Sequence, residues 1–241
     1  MSRLPAVEHI VRAQTNMTEL GDSTIVAYGR TRMNLSLHHL WAACRFATRV
    51  REIESANAGK PFADFWNEIF QYSLGVATLT TAALESYANE LYFEGSAIAP
   101  VLNPAAAEEC LDLVDNQPVL RKYSLVLTFR AQKRLDSGST QVQNVDALIR
   151  LRNAVVHFRP EWFGTQDQHE KLSRRLQYRF EGSPFLPGES LFPRAWASHS
   201  FAEWAIRSAV SYLDYFYAEA NLENPITQFR DRIAPLSGYA L

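Results

Sequence analysis

Cysteine is scarce in this chain of 241 residues, which contains only Cys44 and Cys110. Two cysteines cannot build a disulfide framework, so the composition favours a reducing, cytoplasmic setting. The N-terminal segment lacks the apolar core of a signal peptide. The longest apolar-leaning run, 69–84, is interrupted by glutamine, serine and threonine and is too short to span a bilayer, so no membrane association is expected.

An excess of positive charge is also missing. The chain has 24 Lys and Arg against 26 Asp and Glu, which gives a formal net charge of −2. A nucleic-acid-binding activity would therefore have to depend on a local basic patch. P-loop, nucleophile-elbow, HExxH and Rossmann motifs are absent. The neighbouring His38 and His39 have no second pair of ligands at metal spacing, so neither a metal nor another cofactor is expected.

Strand patterns are almost absent, whereas apolar residues recur at helical spacing along most of the chain. The fold class predicted is therefore all-α, a helical bundle with short links. Within the first thirty residues, 24–28 can form either a short strand or an irregular arm. The expected helices cover about 35–55, 62–93, 103–113, 118–135, 144–158, 166–180 and 200–221.

The same pattern divides the chain into three parts. Residues 1–60 are expected to form an N-terminal extension, an irregular arm plus a helix that packs on the body. Residues 61–222 are expected to form the helical domain, and residues 223–241 a short tail.

The most informative stretch is the expected helix that contains Arg152, Asn153 and His157, capped by Asn144 or Asp146. On a helical wheel Arg152 falls inside an apolar arc. An unpaired buried guanidinium costs several kcal/mol, so it needs a carboxylate, another hydrogen-bonding partner, a partner subunit or an anionic ligand. Asn153 and His157 lie together on the adjoining polar edge. The arc consists of Leu148, Ile149, Leu151, Val155 and Val156.

A helix further upstream carries possible partners for this arginine. Glu85 and Asn89 are four residues apart, on the rim of an apolar stripe, and would meet Arg152 if the two helices pack together. A bidentate pair between Glu85 and Arg152 would satisfy both charges and orient the guanidinium. The stripe consists of Ala77, Leu84, Ala88 and Leu91.

These residues resemble a known family. The pattern from Arg152 through Asn153 to His157 is similar to the R-x(4–6)-H signature of HEPN domains, in which a polar residue commonly follows the arginine. The upstream segment 83–91 looks like the helix that precedes the motif helix in many prokaryotic HEPN proteins. The resemblance covers about residues 62–220 and leaves residues 1–60 unexplained.

The resemblance implies a HEPN-type bundle and a metal-independent endoribonuclease that acts as a homodimer. Arg152 would bind the scissile phosphate, and His157 would act as general acid or base on an RNA whose 2′-OH is the nucleophile. Asn153 would orient the histidine or donate to the phosphate, and Arg150 and Arg159 would hold neighbouring phosphates. Such a protein is expected to serve as a toxin or phage-defence effector, with an antitoxin or regulatory protein as a further partner.

Two other interpretations of the same residues stay open. One is a non-catalytic HEPN-like module that binds a nucleotide, an RNA or a protein partner through the same cleft. The other is a helical protein in which Arg152 and Glu85 form only a structural pair and His157 only ends a helix. The basic segment 169–179 is likewise either a solvated helix face or a contact to an RNA backbone.

Overall fold

The computed structural model describes residues 14–20, 24–30, 34–92, 104–162, 167–227 and 230.

The N-terminal part of the chain contains a small hairpin. The chain divides into two units, Met1–Leu35 and Ser36–Leu241. In the first unit, β1 (Gln14–Leu20) and β2 (Thr24–Arg30) pair as antiparallel strands. Of the two alternatives that the sequence allows at 24–28, the strand is therefore the one found.

The second unit is a bundle of α-helices, so the all-α fold class is confirmed for this body. This unit begins at Ser36, so the first helix belongs to the bundle. The sequence had predicted the boundary at 60/61, which lies after that helix. In the part of the chain that the structure describes, no helix is long and apolar enough to cross a membrane. The helices are α1 (Ser36–Ala56), α2 (Phe65–Tyr92), α3 (Pro104–Asp115), α4 (Val119–Ala131), α5 (Thr140–Val156), α6 (Asp167–Leu176) and α7 (His199–Glu219).

The core lies where α2, α4, α5 and α7 meet. Tyr123 of α4 is fully buried, and its hydroxyl donates a hydrogen bond to the Leu84 carbonyl of α2 at 2.7 Å. Its ring packs edge-on against Tyr212 and Phe216 of α7, with centroids 5.1 and 4.6 Å apart. Because a buried phenol needs a hydrogen-bond acceptor, this one side chain fixes α4 against both neighbours.

The apolar stripes that the sequence predicts are mostly buried. All four members of the α2 stripe are in the core. On α5, Leu148 and Leu151 are fully buried, but Val156 at the end of the predicted arc is 52% exposed. The C-terminal end of α5 therefore projects past the bundle core with an apolar side chain facing outward.

The start of α5 differs from the prediction. Ser139, not Asn144 or Asp146, is the N-cap residue, and its hydroxyl accepts a hydrogen bond from the Val142 amide at 3.4 Å. The helix therefore has an additional first turn, which is stabilised because Val142 is buried in the bundle. The side chains of Asn144 and Asp146 instead bind arginines of the following helix region. Both side chains that were expected to cap the helix therefore make long-range contacts with arginines instead.

Two helices end earlier than their periodicity suggests. The α4 helix ends at Ala131 because Gln132 adopts a left-handed conformation (φ 54°), with its amide bonded to the Leu127 carbonyl. The α6 helix ends at Leu176, two residues before Tyr178, which is also left-handed (φ 65°). A left-handed residue is a common way for an α-helix to end.

The predicted C-terminal tail, 223–241, lies mostly outside the described residues. At its start, the Asn224 side-chain amide donates to an Asp214 carboxylate oxygen at 2.7 Å. Arg230 pairs with the same carboxylate, which attaches the first part of the tail to α7.

Replacement of Ser139 by alanine removes the N-cap of the motif helix. We expect the S139A variant to lose about 1 kcal/mol of unfolding free energy, measured by urea denaturation, because one amide of the first turn loses its acceptor. The matched control is S137A, an exposed serine of the same loop that is not the cap. Equal stability of the two variants would contradict the cap assignment.

Candidate functional site

Arg152 lies where α5 packs against α2. Its Nη2 atom is 3.6 Å from Glu85 Oε2, so the predicted meeting of these two residues is present in the structure. The arginine side chain is 22% exposed and the glutamate side chain 46% exposed. One contact of this length is weaker than the bidentate pair that the sequence suggests.

The guanidinium of Arg152 is only partly satisfied. Its Nε atom is buried and has no hydrogen-bond partner among the described residues. Buried donors in native proteins are nearly always paired, with protein groups or with ordered water. Arg152 therefore keeps a hydrogen-bonding capacity that Glu85 does not use.

Asn89 does not share this contact. Its side-chain oxygen accepts a hydrogen bond from Lys122 Nζ at 2.7 Å, and Lys122 is a buried residue of α4. The predicted pairing of Asn89 with Arg152 is therefore replaced by a link between α2 and α4. Sequence reasoning missed Lys122 because a buried lysine has no local signature when its partner is 33 residues away.

Asn153 and His157 lie on another side of α5. Both are exposed and line a groove of about 980 Å³ between α5 and α6. His157 is the first residue beyond the helix, and its backbone amide donates to the Asn153 carbonyl at 2.9 Å. The predicted neighbourhood of these two residues is present, and their side chains are open to a ligand.

The groove does not contain Arg152. Arg150 and Arg159, the two residues predicted to flank the motif, do line it, together with Asn153 and His157. Arg152 faces Glu85 of α2 instead. Within one chain, Arg152 and His157 therefore lie on two different surfaces.

Positive charge is concentrated along α6. Lys171, Arg174 and Arg175 are exposed and line both this groove and an adjoining one of about 780 Å³. Asp146 of α5 contacts two arginines, Arg150 at 2.9 Å and Arg175 more closely. The local basic patch that nucleic-acid binding would require is present, although the whole chain carries a slight negative charge.

Arg179, beside these cations, has a lowered pKa. Burial lowers the pKa of its guanidinium, and repulsion by Arg175 lowers the pKa further, while Asp146 partly offsets both effects. Arg179 donates to the Asn144 side chain and to the Arg175 carbonyl. A site with several cations in close proximity is one where an anion would be stabilised.

His169 holds the segment after the motif against α6. It is buried, and its Nε2 atom lies 3.0 Å from the Arg159 carbonyl, to which it donates. Its ring stacks on Phe158 and packs edge-on against Phe192, with centroids 5.5 and 4.9 Å apart. The sequence placed His169 in a basic helix, but its spacing from Leu172 and Leu176 marks the buried face.

No protein-family model, curated protein or solved structure matches this chain. The similarity to HEPN domains therefore depends on the motif residues and on their surroundings. In the described part of the chain, no group of three or more His, Cys, Asp or Glu side chains is arranged to hold a metal ion.

The contact between Arg152 and Glu85 can be tested as a stabilising pair. We expect Glu85→Gln to change the unfolding free energy by no more than about 1 kcal/mol, because half-exposed ion pairs contribute little. Glu68→Gln is the matched control, since Glu68 lies on the same helix as Glu85, its side chain is 54% exposed, and it is 3.7 Å from Arg49 of α1. A loss several times larger than in the control would indicate a mainly structural role for Arg152.

Proposed function

We propose that this protein is a metal-independent endoribonuclease of HEPN type. The observation that carries the proposal is the half-buried Arg152, which contacts one carboxylate and retains an unpaired Nε donor. An exposed His157 follows it by five residues, at the end of the same helix. A guanidinium held in place but not saturated is suited to bind a phosphate, and its neighbour is suited to transfer protons.

The chemistry requires no nucleophile from the protein, because RNA supplies its own 2′-OH. His157 removes a proton from this hydroxyl or donates one to the leaving 5′-oxygen. Arg152 stabilises the negative charge that develops on the phosphate, and Asn153 orients the histidine or donates to a phosphate oxygen. The products are a 2′,3′-cyclic phosphate and a 5′-hydroxyl. Such an enzyme would serve as a toxin or phage-defence effector, controlled by an antitoxin or regulatory protein.

A second copy of the chain completes the proposed site. Arg152 and His157 lie on different sides of α5 in one chain, so one phosphate reaches both groups most directly when two α5 helices meet. Val156 and Phe158, on either side of His157, are 52% and 50% exposed. Exposed apolar side chains beside polar ones are typical of a protein interface. The same two-fold contact would bring both motifs together.

The ribonuclease proposal predicts cleavage that resists chelation. In EDTA, we expect the wild-type chain to cleave mixed RNA and to leave cyclic phosphate ends. His157→Ala should slow cleavage by about 10²- to 10⁴-fold through loss of proton transfer. Arg152→Ala should slow it by about 10²- to 10³-fold through loss of charge stabilisation. Cleavage is measured on end-labelled RNA.

Two variants of the same residue types serve as controls for this experiment. His39→Ala and Arg45→Ala change α1, whose residues do not line the grooves at α5 and α6, and both should cleave at the wild-type rate. Cleavage that disappears in EDTA, or that persists unchanged in both motif variants, would contradict the proposal.

The homodimer gives a separate prediction. We expect Val156→Asp to dissociate the dimer, because it places a charge in an apolar contact, and to abolish cleavage without unfolding the chain. Light scattering after size-exclusion chromatography measures the mass, and circular dichroism measures the fold. Leu113→Asp is the matched control, since Leu113 is 65% exposed on α3. A wild-type chain that is monomeric and still cleaves RNA would overturn the two-chain site.

A non-catalytic module is the second candidate. It is favoured by the occupation of Arg152 by Glu85 and by the separation of Arg152 from His157 within the chain. In this case the same residues would bind a nucleotide, an RNA or a protein partner without turnover. Intact RNA together with retained binding in the cleavage experiment would support this alternative.

A further inference from the structure

The outer face of α6 forms a ridge between two grooves. His169, Leu172 and Leu176 are buried on the inner face of this helix. Three basic residues of the outer face, Lys171, Arg174 and Arg175, line both grooves. Arg174 Nε is 3.7 Å from Glu170 Oε1 in an exposed pair on the same helix, and exposed pairs of this kind are weak. The ridge is thus a continuous surface that begins beside His157 and passes over α6 toward Arg179.

The charge on this surface is strongly one-sided. Six basic side chains and two carboxylates line the two grooves together, in a chain whose acidic residues outnumber its basic ones. Both carboxylates have partners, since Asp146 contacts Arg150 and Arg175, and Glu161 accepts a hydrogen bond from the His169 amide. Lys171 and Arg159 have no ion pair within the described ranges, so the surface retains uncompensated positive charge.

Exposed aromatic side chains lie near both ends of the surface. Tyr178 is 94% exposed and stands between Gln177 and Arg179, which line the second groove. Its left-handed backbone (φ 65°) is unusual for a tyrosine, and a conformation of this kind costs of order 1–3 kcal/mol. Trp162, next to the lining residue Glu161, is 87% exposed. Large aromatic rings held open to solvent beside cations are suited to stack on bases.

We propose that the α6 ridge binds single-stranded RNA, with its phosphates on Lys171 and Arg174 and a base stacked on Tyr178. The rings favour a single strand because the bases of a duplex are stacked on each other and offer no free face. The helix of 10 residues is about 15 Å long, enough for a few nucleotides. The inference extends the proposed function, since it gives the path by which a strand reaches His157, but binding to the ridge does not require cleavage.

The experiment measures binding by the full chain without turnover. A fluorescein-labelled 12-nucleotide RNA without secondary structure is titrated with the His157→Ala protein in EDTA, and anisotropy gives Kd at several salt concentrations. We expect Lys171→Gln/Arg174→Gln to weaken binding at least tenfold. The slope of log Kd against log salt should fall by about 1.4, because two phosphate contacts are lost. Arg175 is left unchanged so that its contact with Asp146 is kept.

The matched control removes two charges elsewhere. Arg45→Gln/Arg207→Gln changes two exposed arginines of α1 and α7 and should leave Kd and its salt slope unchanged. Tyr178→Ala should weaken binding by about 5- to 150-fold through loss of stacking, whereas Tyr178→Phe should bind normally. Thermal melts establish that each variant is folded.

The possible results separate this inference from the ribonuclease proposal. Equal binding by the ridge variant and the control, tight binding of a blunt RNA duplex, or a neutral Tyr178→Ala would each overturn the ridge, even if the wild-type chain cleaves RNA. Conversely, specific loss of binding in the ridge and Tyr178 variants would support it even if the wild-type chain cleaves nothing. Failure of the His157→Ala protein to bind the RNA at all would also overturn it.

Discussion

The guanidinium of Arg152 is the group on which the arrangement of the candidate site depends. It lies at the contact of α2 and α5, where one carboxylate reaches it and its Nε donor has no acceptor among the described residues. A purely structural arginine at this depth would be expected to have its donors satisfied, because an unpaired buried donor costs roughly 1–3 kcal/mol. A buried donor without an acceptor therefore distinguishes Arg152 from Arg150, Arg175 and Arg179. Arg150 and Arg175 share one carboxylate, and Arg179 has two acceptors.

The α-helical period explains why Arg152 and His157 are separated. Five residues at about 100° each place the two side chains roughly 140° apart around the axis. When Arg152 faces α2, Asn153 and His157 face another side of α5, where they line the groove beside α6. A motif with this spacing cannot direct both groups at one phosphate from the middle of a single straight helix. The motif lies at the end of α5, where His157 no longer has helical backbone geometry (φ −109°, ψ 43°), so its side chain is less constrained by the helical period. In the proposed dimer, the histidine of one copy would approach the arginine of the other.

The features that the sequence predicts well are those that depend on local periodicity. The helices α1, α2 and α7 begin and end within a few residues of the prediction. The contact of Glu85 with Arg152 was expected if the apolar stripes of the two helices packed together, and they do. The features that it missed depend on partners far along the chain. Asn89 pairs with Lys122. Asn144 and Asp146, which were predicted to cap α5, instead contact Arg179 and Arg175. In each case the partner is a charged side chain 29 to 35 residues further along the chain, which no local pattern can reveal. The strand β1 was missed because 14–20 has no clear alternation of apolar and polar residues.

Net charge alone would have excluded the surface that α6 presents. The overall charge of −2 is the sum over the whole chain. It therefore hides a ridge whose two grooves are lined by six basic side chains. Electrostatic attraction to a polyanion acts over about 8 Å at physiological ionic strength, so the ridge and not the chain total determines whether a strand is held. The ridge forms because Leu172 and Leu176 are buried on one face of α6, which leaves Lys171, Arg174 and Arg175 exposed on the other, together with Glu170. His169 then ties the segment that carries Arg159 to the same helix, so that Arg159 and the motif residue His157 border one surface. The hydrophobic pattern of a short helix thus places positive charge beside His157, and this placement links the two proposals.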